Sequence, residues 1–158
     1  MGALSSADLR EAVEQALSCL YPGEPVYWDY LPKDFKRPCF TVECFKTAGT
    51  DLNAALVQRE ADILVTCYAK VDAYGDSSRK ELTRRQSAVL DLFGQGFLRV
   101  KDRAVKVTGE KGEQNPELAA VTGLFFWTDG RPTLLEPEIP DSGIPGMEHF
   151  EINEEEIK

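Results

Sequence analysis

The spacing of apolar residues near the N-terminus predicts an amphipathic helix from Ser6 to Leu20. Apolar residues recur there every three or four positions, which places them on one helical face. Either Ser5 or Ser6 is suited to cap the first turn, and Pro22 follows the end of the periodic segment. The residues predicted to face the core are Leu9, Val13, Ala16 and Leu20.

A second amphipathic helix is predicted over residues 76–93, with Asp76 or Ser77 as its N-cap. Its polar residues fall opposite a narrow apolar stripe, as expected for a helix that lies on a core. The residues of that stripe are Leu82, Val89 and Phe93, flanked by Ala88 and Leu92.

Strands are predicted where apolar and polar residues alternate. Residues 61–69 are the clearest strand: Ile63, Val65 and Cys67 share one face and Leu64, Thr66 and Tyr68 the other, so both faces are expected to be covered. Polar stretches at 47–54 and 109–116 predict loops, the second joining a hairpin. The segments predicted to be strands are 25–30, 39–45, 61–69, 97–108 and 118–128.

The order of these elements predicts an α+β fold. We expect a mostly antiparallel four- to five-stranded sheet, with the two amphipathic helices packed on one face. Residues 1–129 form this domain, and residues 130–158 are predicted to be an extended or disordered acidic C-terminal arm. Four prolines interrupt the arm, and it closes with Glu154, Glu155 and Glu156.

Charge and composition narrow the possible functions. The chain has 158 residues and a formal net charge of −9, which argues against tight binding to a phosphate backbone. We find no apolar run of about 18 residues and no secretory signal, so we expect no contact with a membrane. The cysteines form no CxxC pair, and all four are predicted to be free thiols that are buried as small hydrophobic residues.

The residue types needed for common catalytic sites are scarce. His149 is the single histidine and lies in the predicted arm, and Gly94-Gln95-Gly96 is better explained as a helix end than as a phosphate loop. We therefore predict no catalytic residue, no cofactor and no metal site. The one basic cluster, interpreted as a solvated helix face or one side of a subunit contact, is Arg79, Lys80, Arg84 and Arg85.

Adjacent aromatic residues indicate apolar surface outside a two-layer core. Neighbouring side chains of a strand point to opposite faces, so if Phe126 lies in the core, Phe125 and Trp127 face away from it. Coverage by the C-terminal arm or burial in a subunit interface would each account for them.

Taken together, the segments resemble a family of tail terminator proteins from tailed phages and prophages of Gram-positive bacteria. The resemblance covers about residues 9–128. It starts with the N-terminal helix and the Pro25-Val26-Tyr27 strand. Residues 35–40 (FKRPCF), residues 62–68 (DILVTCY) and the hairpin ending in residues 124–127 (LFFW) complete it.

The resemblance implies a structural virion protein that caps the tail tube, ends tube polymerisation and joins the head-side connector. Its implied partners are further copies of itself in a hexameric ring, the tail tube protein and the connector protein, with DNA as passing cargo. The isolated chain could be monomeric. The implied location is the tail and neck of the virion, and the host cytoplasm during assembly.

No single residue is carried over from the family. We predict instead that the loop over residues 47–58 reaches a neighbouring subunit or the tube, and that the second aromatic face contributes. The candidate interface residues are Thr47, Asp51, Asn53, Gln58, Arg59, Phe125 and Trp127.

Three alternatives stay open at this point. The first is another adaptor ring of the neck, which has similar physical requirements. The second is a small cytosolic enzyme or ligand-binding domain, which would need a pocket with convergent polar groups. The third is an acidic adaptor that mimics DNA, which would need ordered negative charge, whereas much of the acidity lies in the arm.

Overall fold

The computed structural model describes residues 3–131, which form an α+β fold of two helices and six strands. All six strands belong to one sheet, in the order β1-β2-β3-β6-β5-β4. The elements are α1 (Ser6–Leu20), β1 (Val26–Trp28), β2 (Cys39–Asp51), β3 (Leu56–Tyr68), α2 (Arg79–Phe93), β4 (Phe97–Val100), β5 (Arg103–Gln114) and β6 (Ala119–Gly130).

The sheet is mixed and has more strands than predicted. β1 runs parallel to β2, while all other neighbours are antiparallel. The expectation of four to five strands was wrong because residues 97–108 form two strands, β4 and β5, and not one. The chain reverses between Val100 and Arg103, where Lys101 has a φ of 56°.

Both predicted loops are largely strand. β5 continues to Gln114, and Asn115 closes the short turn by accepting hydrogen bonds from the amides of Glu117 and Leu118 at 2.8 and 3.0 Å. Likewise, β2 continues to Asp51 and β3 begins at Leu56. These strand ends are exposed, so they lack the apolar alternation that marks a half-buried strand.

The helix caps follow from short polar side chains at the first turns. Ser5 forms a capping box with Asp8 at the start of α1, in agreement with the prediction. Ser78 caps α2, one residue after the predicted candidates. The core stripe of α1 is Leu9, Val13 and Leu17, so the prediction was wrong for two members: Ala16 is only partly buried and Leu20 is 38% exposed.

The two helices share one core on one face of the sheet. α1 contacts β1, β2 and β4, while α2 contacts β3, β5 and β6. Gly123 lets α2 approach closely, since a Cβ atom there would lie 3.0 Å from the Phe93 ring. Neither helix within residues 3–131 is long and apolar enough to cross a membrane.

Candidate interface surface

The parts of β2, β3 and β6 nearest the β2–β3 turn form a three-stranded end of the sheet. We define the hairpin extension as residues 46–51, 56–62 and 124–130, which pair in one continuous register. Ala48, Glu60 and Phe126, for example, form one row across the three strands. Residues 46–51 of β2 are all exposed and leave their outer edge open, whereas Val57, Ala61 and Phe125 of the same extension are buried on the helix-side face.

The tip of the extension is held in place by its own polar groups. The Asn53 side chain accepts hydrogen bonds from the amides of Ala55 and Leu56 at 2.8 and 2.9 Å. Arg131 donates to the carbonyls of Asn53 and Ala54 and pairs with Asp51 at 3.0 Å. Two predicted interface residues, Asp51 and Asn53, therefore shape the tip that a partner would meet.

Three other predicted residues come together at the base of the extension. Thr47, Arg59 and Trp127 line a shallow pocket of about 420 Å³ beside Leu4. Gln58 lies on the neighbouring row of β3, opposite Thr128, and so faces the other side of the sheet. The predicted interface residues therefore do not form one surface: some lie at the tip, some line the pocket and Gln58 lies on the opposite face of the sheet.

A buried carboxylate that the sequence analysis missed orients Trp127. Asp129 is 7% exposed and accepts hydrogen bonds from the Trp127 indole at 2.8 Å and from the Leu4 amide at 3.2 Å. It also pairs with Arg103. Burial raises the pKa of this carboxyl, but the hydrogen bonds from Arg103, Trp127 and Leu4 outweigh burial and lower it overall.

The aromatic residues of β6 point the opposite way from the prediction. Phe125 has no exposed surface and packs edge to face against Phe93, with ring centroids 5.8 Å apart. Phe126 lies on the helix-free face, where it is half-buried. Phe125 is a core residue with no surface for a neighbouring subunit, so its proposed interface role is corrected.

The basic cluster of α2 is not wholly solvated. Arg85 is 4% exposed and makes a bidentate pair with Glu24, with both N–O distances at 2.7 Å. It also donates to Glu81 at 3.0 Å and lies 4.5 Å from the Tyr21 ring centroid. One member of the cluster is therefore an internal tie between α2 and the segment before β1.

The two buried thiols are poorly suited to nucleophilic chemistry. Burial raises the pKa of the Cys67 thiol to about 12 and that of Cys39 to about 11, so both stay protonated at neutral pH. The prediction that all four cysteines are buried was wrong for Cys19, which is exposed, and Cys44 is only partly buried. Within residues 3–131 no group of three or more potential ligands could hold a metal ion, and His149 lies outside this range.

Comparison with known proteins identifies the family. Residues 8–117 match the family described as phage tail terminator protein. No curated protein matches the chain. One solved chain aligns at 17% sequence identity with a TM-score of 0.42, over 86% of this chain and 100% of that chain, a likeness that adds nothing to the assignment. Since the family match spans well over half of the sequence, this protein belongs to the phage tail terminator family and has a structural role in the virion tail.

Proposed function

We propose that this protein assembles as a ring on the finished end of the tail tube, stops further tube growth and provides the joint to the head-side connector. The ring is taken to be a homo-hexamer, and DNA passes through its lumen as cargo. Assembly takes place in the host cytoplasm, and the ring stays in the neck of the virion. Family membership is the single observation that carries this proposal.

The hairpin extension supports a role in assembly. Leu52 and Leu56 are 48% and 39% exposed at its tip, in a segment whose backbone is fixed by Asn53 and Arg131. A preorganised apolar tip loses little conformational freedom on binding, which favours contact with a neighbour or with the tube. Thr47, Arg59 and Trp127 offer a concave surface nearby that could receive such a contact.

We further propose that the protein works without catalysis. Its buried thiols have raised pKa values, and the carboxylates with lowered pKa values pair with arginine or lysine side chains or cap a helix. Paired charges of this kind contribute to folding, so these particular carboxylates are poorly placed for proton transfer.

The experiment that tests the proposal is tube assembly with the tube protein from the same genome. We expect tubes grown with this protein to stop lengthening and to carry a ring at one end in electron micrographs. Light scattering of the protein alone, over a range of concentrations, should give a hexamer or a mass that climbs towards one.

The result also separates a terminator from another neck adaptor. An adaptor would bind the connector but leave tube growth unchanged. Unaltered tube lengths and bare tube ends at saturating protein would overturn the terminator role.

A further inference from the structure

Both ends of the sheet are stepped. β1 pairs only with residues 40–42 of β2, which leaves the outer edge of residues 43–51 without a strand. At the other end, β4 pairs with residues 103–106 of β5, and the Val107 amide donates to the Gly96 carbonyl. Residues 108–114 have no strand beside them on that side, although the carbonyls of Gly112 and Glu113 accept hydrogen bonds from the Gln86 side chain. An unpaired strand edge presents free amide and carbonyl groups, and these favour pairing with another strand.

The register shows where each step lies. One row of partners runs from Phe97 in β4 through Lys106, Phe126 and Glu60 to Ala48 in β2. The short strand β4 is therefore level with the bare part of β2.

A second row locates the other step. It runs from Trp28 in β1 through Val42, Val65 and Val121 to Lys111 in β5. The short strand β1 is therefore level with the bare part of β5. The protrusion at each end of the sheet matches the recess at the other end.

We propose that two copies of this chain join by these stepped edges, so that the sheet continues from one subunit into the next. β4 of one copy lies beside residues 48–51 of β2 in its neighbour, and the two strands run parallel. β1 of that neighbour lies beside residues 111–114 of β5 in the first copy, and these run antiparallel. This inference rests on the proposed ring and specifies its subunit contact.

The side chains of the two steps suit such a contact. Phe97 on β4 is 58% exposed and Trp28 on β1 is 39% exposed, and both would become covered. Because the two surfaces differ, the contact is head-to-tail, which is the type that closes into rings. An edge contact between identical surfaces would instead stop at a dimer.

Site-directed disulfide formation tests the register directly. Ala48→Cys and Phe97→Cys are made in separate Cys19→Ser chains, which removes the exposed native thiol. The two proteins are mixed and oxidised at increasing concentration. We expect linked heterodimers, and a ladder of linked oligomers when both substitutions are in one chain.

The matched control replaces Ala48→Cys with Glu43→Cys on the same bare edge. Glu43 lies five residues from Ala48, or about 17 Å along the strand, whereas a disulfide needs Cα atoms within about 7 Å. Equal yields from the two pairs, or no linkage from the Ala48 pair, would overturn the inference.

The unmodified protein enters the tube assay, so the two proposals can fail separately. Rings on tube ends without the 48–97 linkage would reject the stepped-edge contact and leave the terminator role intact. Absence of rings and of any effect on tube length would reject the terminator role itself. If the 48–97 disulfide nevertheless forms in solution, the subunits join by their sheet edges without any role at the tail tube.

Discussion

At the residue scale, the contact between Arg85 and Glu24 has the largest predicted effect on folding. Arg85 is 4% exposed, and its guanidinium donates hydrogen bonds to both carboxylate oxygens of Glu24 at 2.7 Å. Burial disfavours its charge, but the hydrogen bonds and charge of Glu24 outweigh burial and raise the pKa of Arg85. A buried pair of this kind adds little net energy when intact, yet its disruption is costly because one charge loses its partner.

We therefore predict that Arg85→Met lowers the free energy of unfolding by about 3 kcal/mol. Methionine keeps much of the packing on Tyr21 but leaves Glu24 unpaired. The adjacent Arg84→Met is the control, since the Arg84 side chain is 69% exposed, and its effect should stay within about 0.5 kcal/mol. Equilibrium unfolding in urea measures the free energy of unfolding of both variants. Equal decreases would show that the buried Arg85–Glu24 pair contributes no more to folding than an exposed arginine.

Sequence patterns could not identify Arg85 as buried. Its neighbours Arg84 and Glu81 are charged, and a charged run on a helix normally indicates a solvated face. The partner Glu24 is 61 residues away, so only the fold brings the two together. The same holds for Asp129, whose partners Arg103 and Leu4 come from distant segments.

At the element scale, buried strands could be predicted and exposed strands could not. The pattern of residues 61–69 predicts a strand covered on both faces; Ile63, Val65 and Cys67 lie in the core, while Leu64 and Tyr68 on the other face are partly buried. Residues 47–54 contain glycine, aspartate and asparagine, which is typical of loops. Most of this segment nevertheless extends the sheet, because pairing with β3 satisfies its backbone without burying its side chains.

The exposed leucines at the tip of the hairpin extension provide a test of its role in assembly. If its tip contacts a neighbour or the tube, the double substitution of Leu52→Ser and Leu56→Ser should weaken assembly at least tenfold. Burying even one leucine contributes about 1.5–3 kcal/mol, and about 1.4 kcal/mol corresponds to a tenfold change in affinity. Concentration-dependent light scattering and the fraction of capped tubes measure the effect.

The control for this variant is Val71→Ser, which changes an apolar residue that is 41% exposed away from the hairpin extension. All these side chains are substantially exposed, so the thermal unfolding midpoints should remain close to that of the unmodified protein. Assembly equal to that of the control would exclude the tip as a contact surface.

At the scale of the whole molecule, the net charge is unevenly distributed. Residues 132–158 contain eight carboxylates and one lysine, so seven of the nine net negative charges lie there. The part of the chain that forms the sheet and helices is close to neutral. An acidic lumen that lets DNA slide past would therefore depend on residues 132–158, because −9 minus −7 leaves a net charge of only −2 on residues 1–131.

A chain truncated after Arg131 retains β6 and the contacts of Arg131 with the hairpin tip. Because these interactions are preserved, we expect residues 1–131 to fold with a free energy of unfolding within about 0.5 kcal/mol of that of the full chain. If residues 132–158 contact a neighbouring subunit or the connector, the truncated protein should lose ring formation or tail joining. Light scattering reports the first loss and tail-joining assays report the second. Full activity in both assays would assign assembly to the sheet and hairpin extension alone.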